Sequence, residues 1–164
     1  MTDPHASDLT LDELKAIEAE LAHYAQPQAA TIDALMAVQR SRGWVSDEAV
    51  AAIAGKLGTS TAAVDSVASF YNLIYRRPVG RHVIHVCDSI ACWIMGGEAL
   101  MERLKTRLGI APGQTTEDGR FTLLPIVCLG TCDKAPAMLI DQDTHRDLEE
   151  VDEARLEHLL ERYE

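Results

Sequence analysis

Four cysteines in two close pairs constrain this chain more than any other sequence feature. Cys87 and Cys92 enclose four residues, Cys128 and Cys132 enclose three, and residues 93–127 separate the pairs. Each pair begins where a predicted strand runs out into a loop. Strands that end on the same side of one sheet bring their following loops together. The two pairs can therefore converge on one site.

The first part of the chain predicts a small helical bundle over residues 10–76, after a flexible lead over 1–9. Thr10 and Glu13 have capping-box spacing, Pro27 closes the first helix, and Gly43 and Gly58 end the next two. A fourth helix starts at residues 59–61. Helical spacing predicts that the following side chains face inward: Leu11, Leu14, Ile17, Leu21, Tyr24, Ile32, Leu35, Met36, Val64, Val67 and Phe70.

The pattern changes after residue 76, and residues 77–164 predict a small α/β layer. Alternating or β-branched segments predict strands over 82–87, 121–127 and 137–141. Pro125 favours an edge position for the second strand. Leu100, Leu104 and Leu108, followed by Gly109, predict a crossover helix long enough for parallel pairing of the first two strands. A last helix is predicted over 151–163, and the fold class is α+β.

Composition narrows the range of functions. The 164 residues are 47% hydrophobic and 25% charged, and the formal charge is −11. Such an acidic surface repels nucleic acids and anionic membranes. No apolar run approaches a membrane-spanning length and the N-terminus lacks a secretory signal, so we expect a cytosolic protein. In that reducing compartment, cysteines indicate metal ligands or redox groups.

Several kinds of site use four cysteines. Structural zinc and thioredoxin-type dithiols prefer C-x2-C, which is absent, and a Rieske centre needs two histidines. Four buried structural thiols would give no reason for two close pairs at strand ends. A 2Fe–2S cluster needs four thiolates, two per iron, and fits best. We assign Cys87 and Cys92 to one iron and Cys128 and Cys132 to the other. A zinc-stapled interaction module stays open as the alternative.

The charge of such a cluster predicts a low reduction potential. Two ferric ions, two sulfides and four thiolates carry a charge of −2, which becomes −3 on reduction, in a protein of charge −11. Gly130 can adopt a positive φ and direct N–H groups at sulfur. Lys134 is either a tuning cation or a solvated loop lysine.

Longer motifs surround the cysteines. They are CDSIAC at 87–92, PGQTT at 112–116, DGRFTLLP at 118–125 and CLGTCDKAP at 128–136, with Gly43-Trp44 and SFY at 69–71 in the helical part. Together they closely resemble the E subunit of bacterial NADH:quinone oxidoreductase, which is the thioredoxin-like 2Fe–2S subunit of respiratory complex I. The resemblance runs from about residue 11 to the C-terminus.

This resemblance implies a helical domain followed by a thioredoxin-like 2Fe–2S domain, with Cys87, Cys92, Cys128 and Cys132 as the ligands of one cluster. It implies that the partner is the F subunit, which carries FMN and oxidises NADH. The F subunit would connect this chain to the iron–sulfur G subunit. The cluster would accept an electron from the flavin but lie off the main path to quinone. The implied location is the peripheral arm, on the cytoplasmic side of the inner membrane. Related subunits of NAD-dependent formate dehydrogenases and NAD-reducing hydrogenases are the alternative.

Nucleotide-binding signals are missing from the sequence. Neither G-x-G-x-x-G nor a P-loop is present, so we expect NADH and flavin to bind a partner. Gly96-Gly97 is interpreted as a helix start or a close-packing feature. Trp93, Ile94 and Met95 follow a proposed ligand and are either core or a partner-facing cover of the cluster.

The remaining aromatic and imidazole side chains are given structural roles. Phe70, Tyr71 and Tyr75 are predicted to pack in the core. His82 and His85 lie on a predicted strand and are expected to be exposed or hydrogen-bonded rather than ligands. The bond before Pro136 is a candidate cis peptide.

Overall fold

A computed structural model describes residues 9–149 and 153–163, and the chain divides into two compact units, one ending at Pro78 and the other beginning at Val79. The boundary predicted from sequence lies two residues earlier. Of the predicted flexible lead, residues 1–8 lie outside the described part, and Leu9 is half-buried against the core of the first unit.

The described part of unit 1 contains four α-helices, as predicted. They are α1 (Leu11–Leu21), α2 (Thr31–Arg42), α3 (Asp47–Leu57) and α4 (Thr61–Phe70), with a 3₁₀ turn at Pro27–Ala30 before α2. Local chemistry sets their ends. The Thr10 hydroxyl accepts from the Glu13 N–H while the Glu13 carboxylate accepts from the Thr10 N–H. Gly43 and Gly58, both at positive φ, end α2 and α3.

The core of unit 1 differs from the predicted one at the helix ends. The buried side chains include Ile17, Leu35, Val38, Val50, Ile53, Leu57 and Val64. Leu11 and Phe70 were predicted inward, but each is 76% exposed because it is a terminal residue of its helix and projects past the packed layer. Tyr71 was predicted in the core, and Tyr24 and Ile32 were predicted to face inward, but all three are exposed. The first helix ends at Leu21, before Tyr24.

Unit 2 is built on a four-stranded sheet in its described part. The strands are β1 (His82–Cys87), β2 (Phe121–Ile126), β3 (Met138–Ile140) and β4 (Asp143–His145), in the order β2-β1-β3-β4. β1 and β2 are parallel, with Cys87 opposite Ile126, while β3 runs antiparallel to β1 and to β4. The parallel pairing and the edge position of β2 are confirmed.

Three helices accompany the sheet: α5 (Ile90–Ile94), α6 (Gly97–Leu108) and α7 (Glu153–Leu160). α6 is the predicted crossover, and it ends at Gly109. Its Leu100 and Leu104 pack with strand residues and with the apolar face of α7 in one core. Arg120 anchors the C-terminal end of α7 and the residues after it. Its guanidinium donates to the carbonyls of Tyr163 and Leu160 at 2.6 and 2.7 Å. Residues 151–152 of the predicted last helix lie outside the described part.

In the described residues, no helix combines the length and the apolar character needed to cross a bilayer.

Candidate metal centre

Cys87 and Cys92 form the inner pair of the site. Cys87 is the last residue of β1 and Cys92 lies in α5, and their exposed fractions are 2% and 3%. The Cys87 N–H donates to the carbonyl of Ala137 at 3.1 Å. Burial, together with a hydrogen bond to the Cys87 thiol, raises the pKa of Cys92 to about 11. Both inner thiols are thus buried, and burial favours the neutral form of the Cys92 thiol.

Cys128 and Cys132 form the outer pair, in the loop that follows β2. Both are exposed, and their sulfurs are 3.2 Å apart. The Gly130 N–H donates to the Cys128 sulfur at 3.3 Å, and this contact lowers the pKa of Cys128. Gly130 has a φ of 77°, as expected for the turn that directs its N–H at sulfur. The hydrogen bond that the Cys132 thiol shares with Cys128 raises the pKa of Cys132.

The sheet brings the two pairs to the same edge. β1 and β2 are parallel neighbours, so the loops that follow them leave from the same side. The Asp88 N–H donates to the Ile126 carbonyl at 3.0 Å and ties the two strand ends together. The structure thus confirms that both pairs lie at one edge of the sheet; their convergence on one metal site stays a prediction.

The outer thiol pair has nearly the spacing of two ligands on one metal. In the described part of the chain, no group of three or more His, Cys, Asp or Glu side chains is placed to hold a metal ion, so the four sulfurs are not gathered into one ligand set. A Cys₄ zinc site needs all four sulfurs around a single ion. A 2Fe–2S cluster needs two thiolates on each iron, with sulfides between the irons. Two thiols on one tetrahedral metal lie about 3.8 Å apart, so the 3.2 Å separation of the outer sulfurs needs only slight widening.

The segment after Cys132 is braced by a neighbouring loop. The Ala135–Pro136 peptide is cis. The Asp147 N–H donates to the Lys134 carbonyl at 2.9 Å, and the Leu148 N–H donates to the Pro136 carbonyl at 3.2 Å. Lys134 is about half exposed, and its ammonium lies 3.5 Å from the Asp147 carboxylate. The positive charge of Lys134, two residues after Cys132, is therefore partly balanced by the Asp147 carboxylate.

Exposed apolar side chains surround the cysteines. Ile90, Trp93, Ile94 and Met95 of the α5 region and Val127 before Cys128 have exposed fractions from 38% to 67%. Of the two interpretations of Trp93, Ile94 and Met95, exposure favours a surface over a core. The exposure of Val127 was not predicted from the sequence. Helix α5 was not predicted either, because five residues give too short a pattern to detect.

β1 carries two histidines, His82 and His85. The His82 ring nitrogen Nδ1 lies 2.6 Å from Asp141 Oδ2, which confirms the expected hydrogen bond. His85 is 1% exposed, and burial lowers its pKa to about 4. His85 is therefore neutral at physiological pH.

Comparison with known proteins identifies the family. The model of the thioredoxin-like [2Fe-2S] ferredoxin family matches residues 17–164. The chain belongs to the thioredoxin-like [2Fe-2S] ferredoxin family. All four cysteines lie inside the matched range, and the predicted thioredoxin-like fold and the resemblance are confirmed.

Among curated relatives of this ferredoxin, the NADH-quinone oxidoreductase E subunit of Escherichia coli K12 is 54% identical over 158 residues, covering 96% of this chain and 93% of the relative. The corresponding E subunit of Pseudomonas aeruginosa is 54% identical over 140 residues, covering 85% and 84%. A solved NAD⁺-reducing [NiFe]-hydrogenase in the H₂-reduced state aligns with a TM-score of 0.66 and 28% identity. That alignment covers 82% of this chain but only 22% of the hydrogenase chain.

Proposed function

We propose that this ferredoxin is the electron-transfer subunit of an NADH:quinone oxidoreductase and holds one 2Fe–2S cluster. Cys87 and Cys92 would bind one iron, and Cys128 and Cys132 the other. The observation that carries the proposal is the placement of both thiol pairs at the same edge of the sheet. The 54% identity to a relative of this type over nearly the whole chain supports the assignment to this complex.

The bound cluster would supply transfer of a single electron, and the protein around it would set the energy of that step. The buried inner pair provides an apolar, fixed half of the site, while the exposed outer pair faces solvent or a partner. The Gly130 N–H stabilises negative charge on the Cys128 sulfur. The net charge of −11 opposes a further negative charge, so we expect a low reduction potential.

The chain needs a redox partner, because the sequence carries no nucleotide-binding motif. We propose that the adjacent F subunit binds FMN and NADH. The F subunit would also connect this chain to the iron–sulfur G subunit. The apolar side chains beside the cysteines favour docking of such a protein close to the cluster. The complex would lie on the cytoplasmic side of the membrane, with this chain in its peripheral arm.

A direct test of the function follows the cluster spectrum in the presence of NADH. We expect the isolated chain, loaded with its cluster, to stay oxidised in NADH alone and to be reduced when catalytic amounts of the FMN-containing flavoprotein are added. NADH turnover without a flavoprotein would contradict this division of labour. The absence of any reduction in the presence of the active flavoprotein would contradict the proposed electron transfer.

The exposed Trp93 provides a prediction about docking. Trp93 is 53% exposed, so we expect Trp93→Asp to leave the fold intact and to weaken binding to the flavoprotein at least tenfold, roughly the effect of losing an aromatic anchor. Surface plasmon resonance with the purified flavoprotein would measure this. Leu11→Asp is the matched control, since Leu11 is also exposed but lies in unit 1. Equal affinities of the Trp93 variant and the parent would exclude this docking surface.

The hydrogenase likeness supports a second assignment, to the corresponding part of an NAD-reducing hydrogenase or formate dehydrogenase. The subunits that co-purify with the chain distinguish these assemblies. The zinc-stapled module is distinguished by colour, because an iron–sulfur protein is reddish-brown and bleaches with dithionite whereas a zinc protein is colourless.

A further inference from the structure

Helix α6 begins in contact with the backbone that carries the inner cysteines. Gly97 is its first residue and is buried, and Gly96 before it turns the chain with a φ of 92°. A Cβ at position 97 would lie 2.8 Å from the carbonyl oxygen of Cys92 and 3.4 Å from that of Cys87. The interpretation of Gly96-Gly97 as a helix start and a close-packing feature is confirmed.

The atoms that such a Cβ would meet belong to the main chain. A flexible side chain could rotate away, but the Cys92 carbonyl cannot move unless α5 or the start of α6 moves with it. Interiors packed at this density transmit such a shift to their neighbours. A side chain at position 97 would therefore push α6 and the backbone of the inner thiol pair apart.

We infer that Gly97 is a positioning residue for the inner pair of cluster ligands. Its lack of a side chain lets α6 pack directly on the Cys87 and Cys92 backbone and fixes the spacing of their sulfurs. The inference rests on the proposed function, because the spacing matters only if those sulfurs share an iron. Groups that orient ligands in this way govern how firmly a metal site holds its metal.

Gly80 offers a matched control in the same unit. A Cβ at position 80 would lie 2.9 Å from the carbonyl oxygen of Arg120, also a main-chain atom. Gly80 and Arg120 precede β1 and β2, whereas Cys87 ends β1 and the other cysteines follow these strands, so this contact lies at the opposite edge of the sheet. Gly80→Ala thus imposes a similar overlap without touching the cysteine backbone.

The experiment compares the full-length parent, Gly97→Ala and Gly80→Ala after cluster loading. Iron release to a ferrous chelator gives the rate of cluster loss, and the EPR spectrum after dithionite reports the geometry of the ligands. Far-UV circular dichroism and thermal melting of the metal-free proteins report the fold. We expect Gly97→Ala to fold, to lose iron about tenfold faster than the parent and to have an altered EPR line shape. Gly80→Ala should melt at a lower temperature but keep the parent's release rate and spectrum.

Each other outcome is decisive. Parent-like release and spectrum in Gly97→Ala would overturn the inference, as would equal acceleration in both variants. If Gly97→Ala fails to fold while Gly80→Ala folds, Gly97 serves the fold rather than the ligand spacing, and the inference is wrong. If the parent itself takes up no cluster, it is the proposed function that fails.

Discussion

Cys132→Ala is expected to reduce the bound iron of the purified chain at least tenfold while leaving its metal-free fold unchanged. The substitution removes one of the two sulfurs assigned to the outer iron. Because Cys132 is exposed, its loss creates no cavity, and the free energy of unfolding of the metal-free protein should stay unchanged. Iron analysis and visible absorption after cluster reconstitution measure the effect.

Thr131→Ala is the control for this prediction. Thr131 lies in the same loop, between the outer cysteines, and carries no sulfur. We expect its iron content and spectrum to match those of the parent. If Cys132→Ala keeps the parent's iron content, the outer pair does not bind the metal and its assignment as ligands is wrong.

Glu13→Gln is expected to destabilise unit 1 by roughly 3–5 kcal/mol, because it breaks a buried ion pair by removing one of its two charges. Arg42 donates to both Glu13 oxygens, at 2.7 and 2.6 Å, and the two side chains are 3% and 1% exposed. Urea unfolding followed by Trp44 fluorescence, in a Trp93→Phe background, measures the loss.

Glu18→Gln is the control for Glu13→Gln. Glu18 pairs with Lys56 at 2.6 Å but is 60% exposed. Removing an exposed pair of this kind should cost less than about 1 kcal/mol. If the two substitutions lower the free energy of unfolding equally, burial does not make the Glu13–Arg42 pair more important than an exposed pair.

The same pair predicts how stability depends on pH. Burial alone would raise the pKa of Glu13, but the hydrogen bonds from Arg42 and Thr10 outweigh it and lower the pKa from 4.5 to about 2. The carboxylate therefore binds a proton more readily in the unfolded chain. Its stabilisation of unit 1 is complete above about pH 4.5 and is lost as the pH falls toward 2. Glu13→Gln should remove this part of the pH dependence.

Sequence predicted those parts of the fold that local chemistry determines. The capping box at Thr10 and the glycines after α2, α3 and α6 set helix ends through contacts within a few residues. β1 was predicted with its observed bounds, because alternation over six residues is a clear strand signal. β4 was missed, since its three residues are mostly exposed and polar and are held by pairing with β3.

Burial at the helix ends could not be predicted, because it depends on where the packed layer stops. Leu11 and Phe70 continue the apolar spacing of their helices and yet project beyond the core. The burial of Glu13 depends on Arg42, 29 residues away in the sequence, and no local pattern connects the two. The cysteine spacing predicted that the pairs lie at one edge of the sheet. The contact of Gly97 with the Cys92 carbonyl, in contrast, requires the three-dimensional structure.

The central claim is that the four cysteines of this chain hold one diiron cluster. The most direct measurement is iron and sulfide analysis of the anaerobically purified chain, together with its EPR spectrum after reduction by dithionite. We expect iron and acid-labile sulfide in equal amounts, as a 2Fe–2S cluster requires, and a signal from one unpaired electron in the reduced state. A colourless protein that contains zinc, lacks sulfide and gives no signal on reduction would contradict the claim.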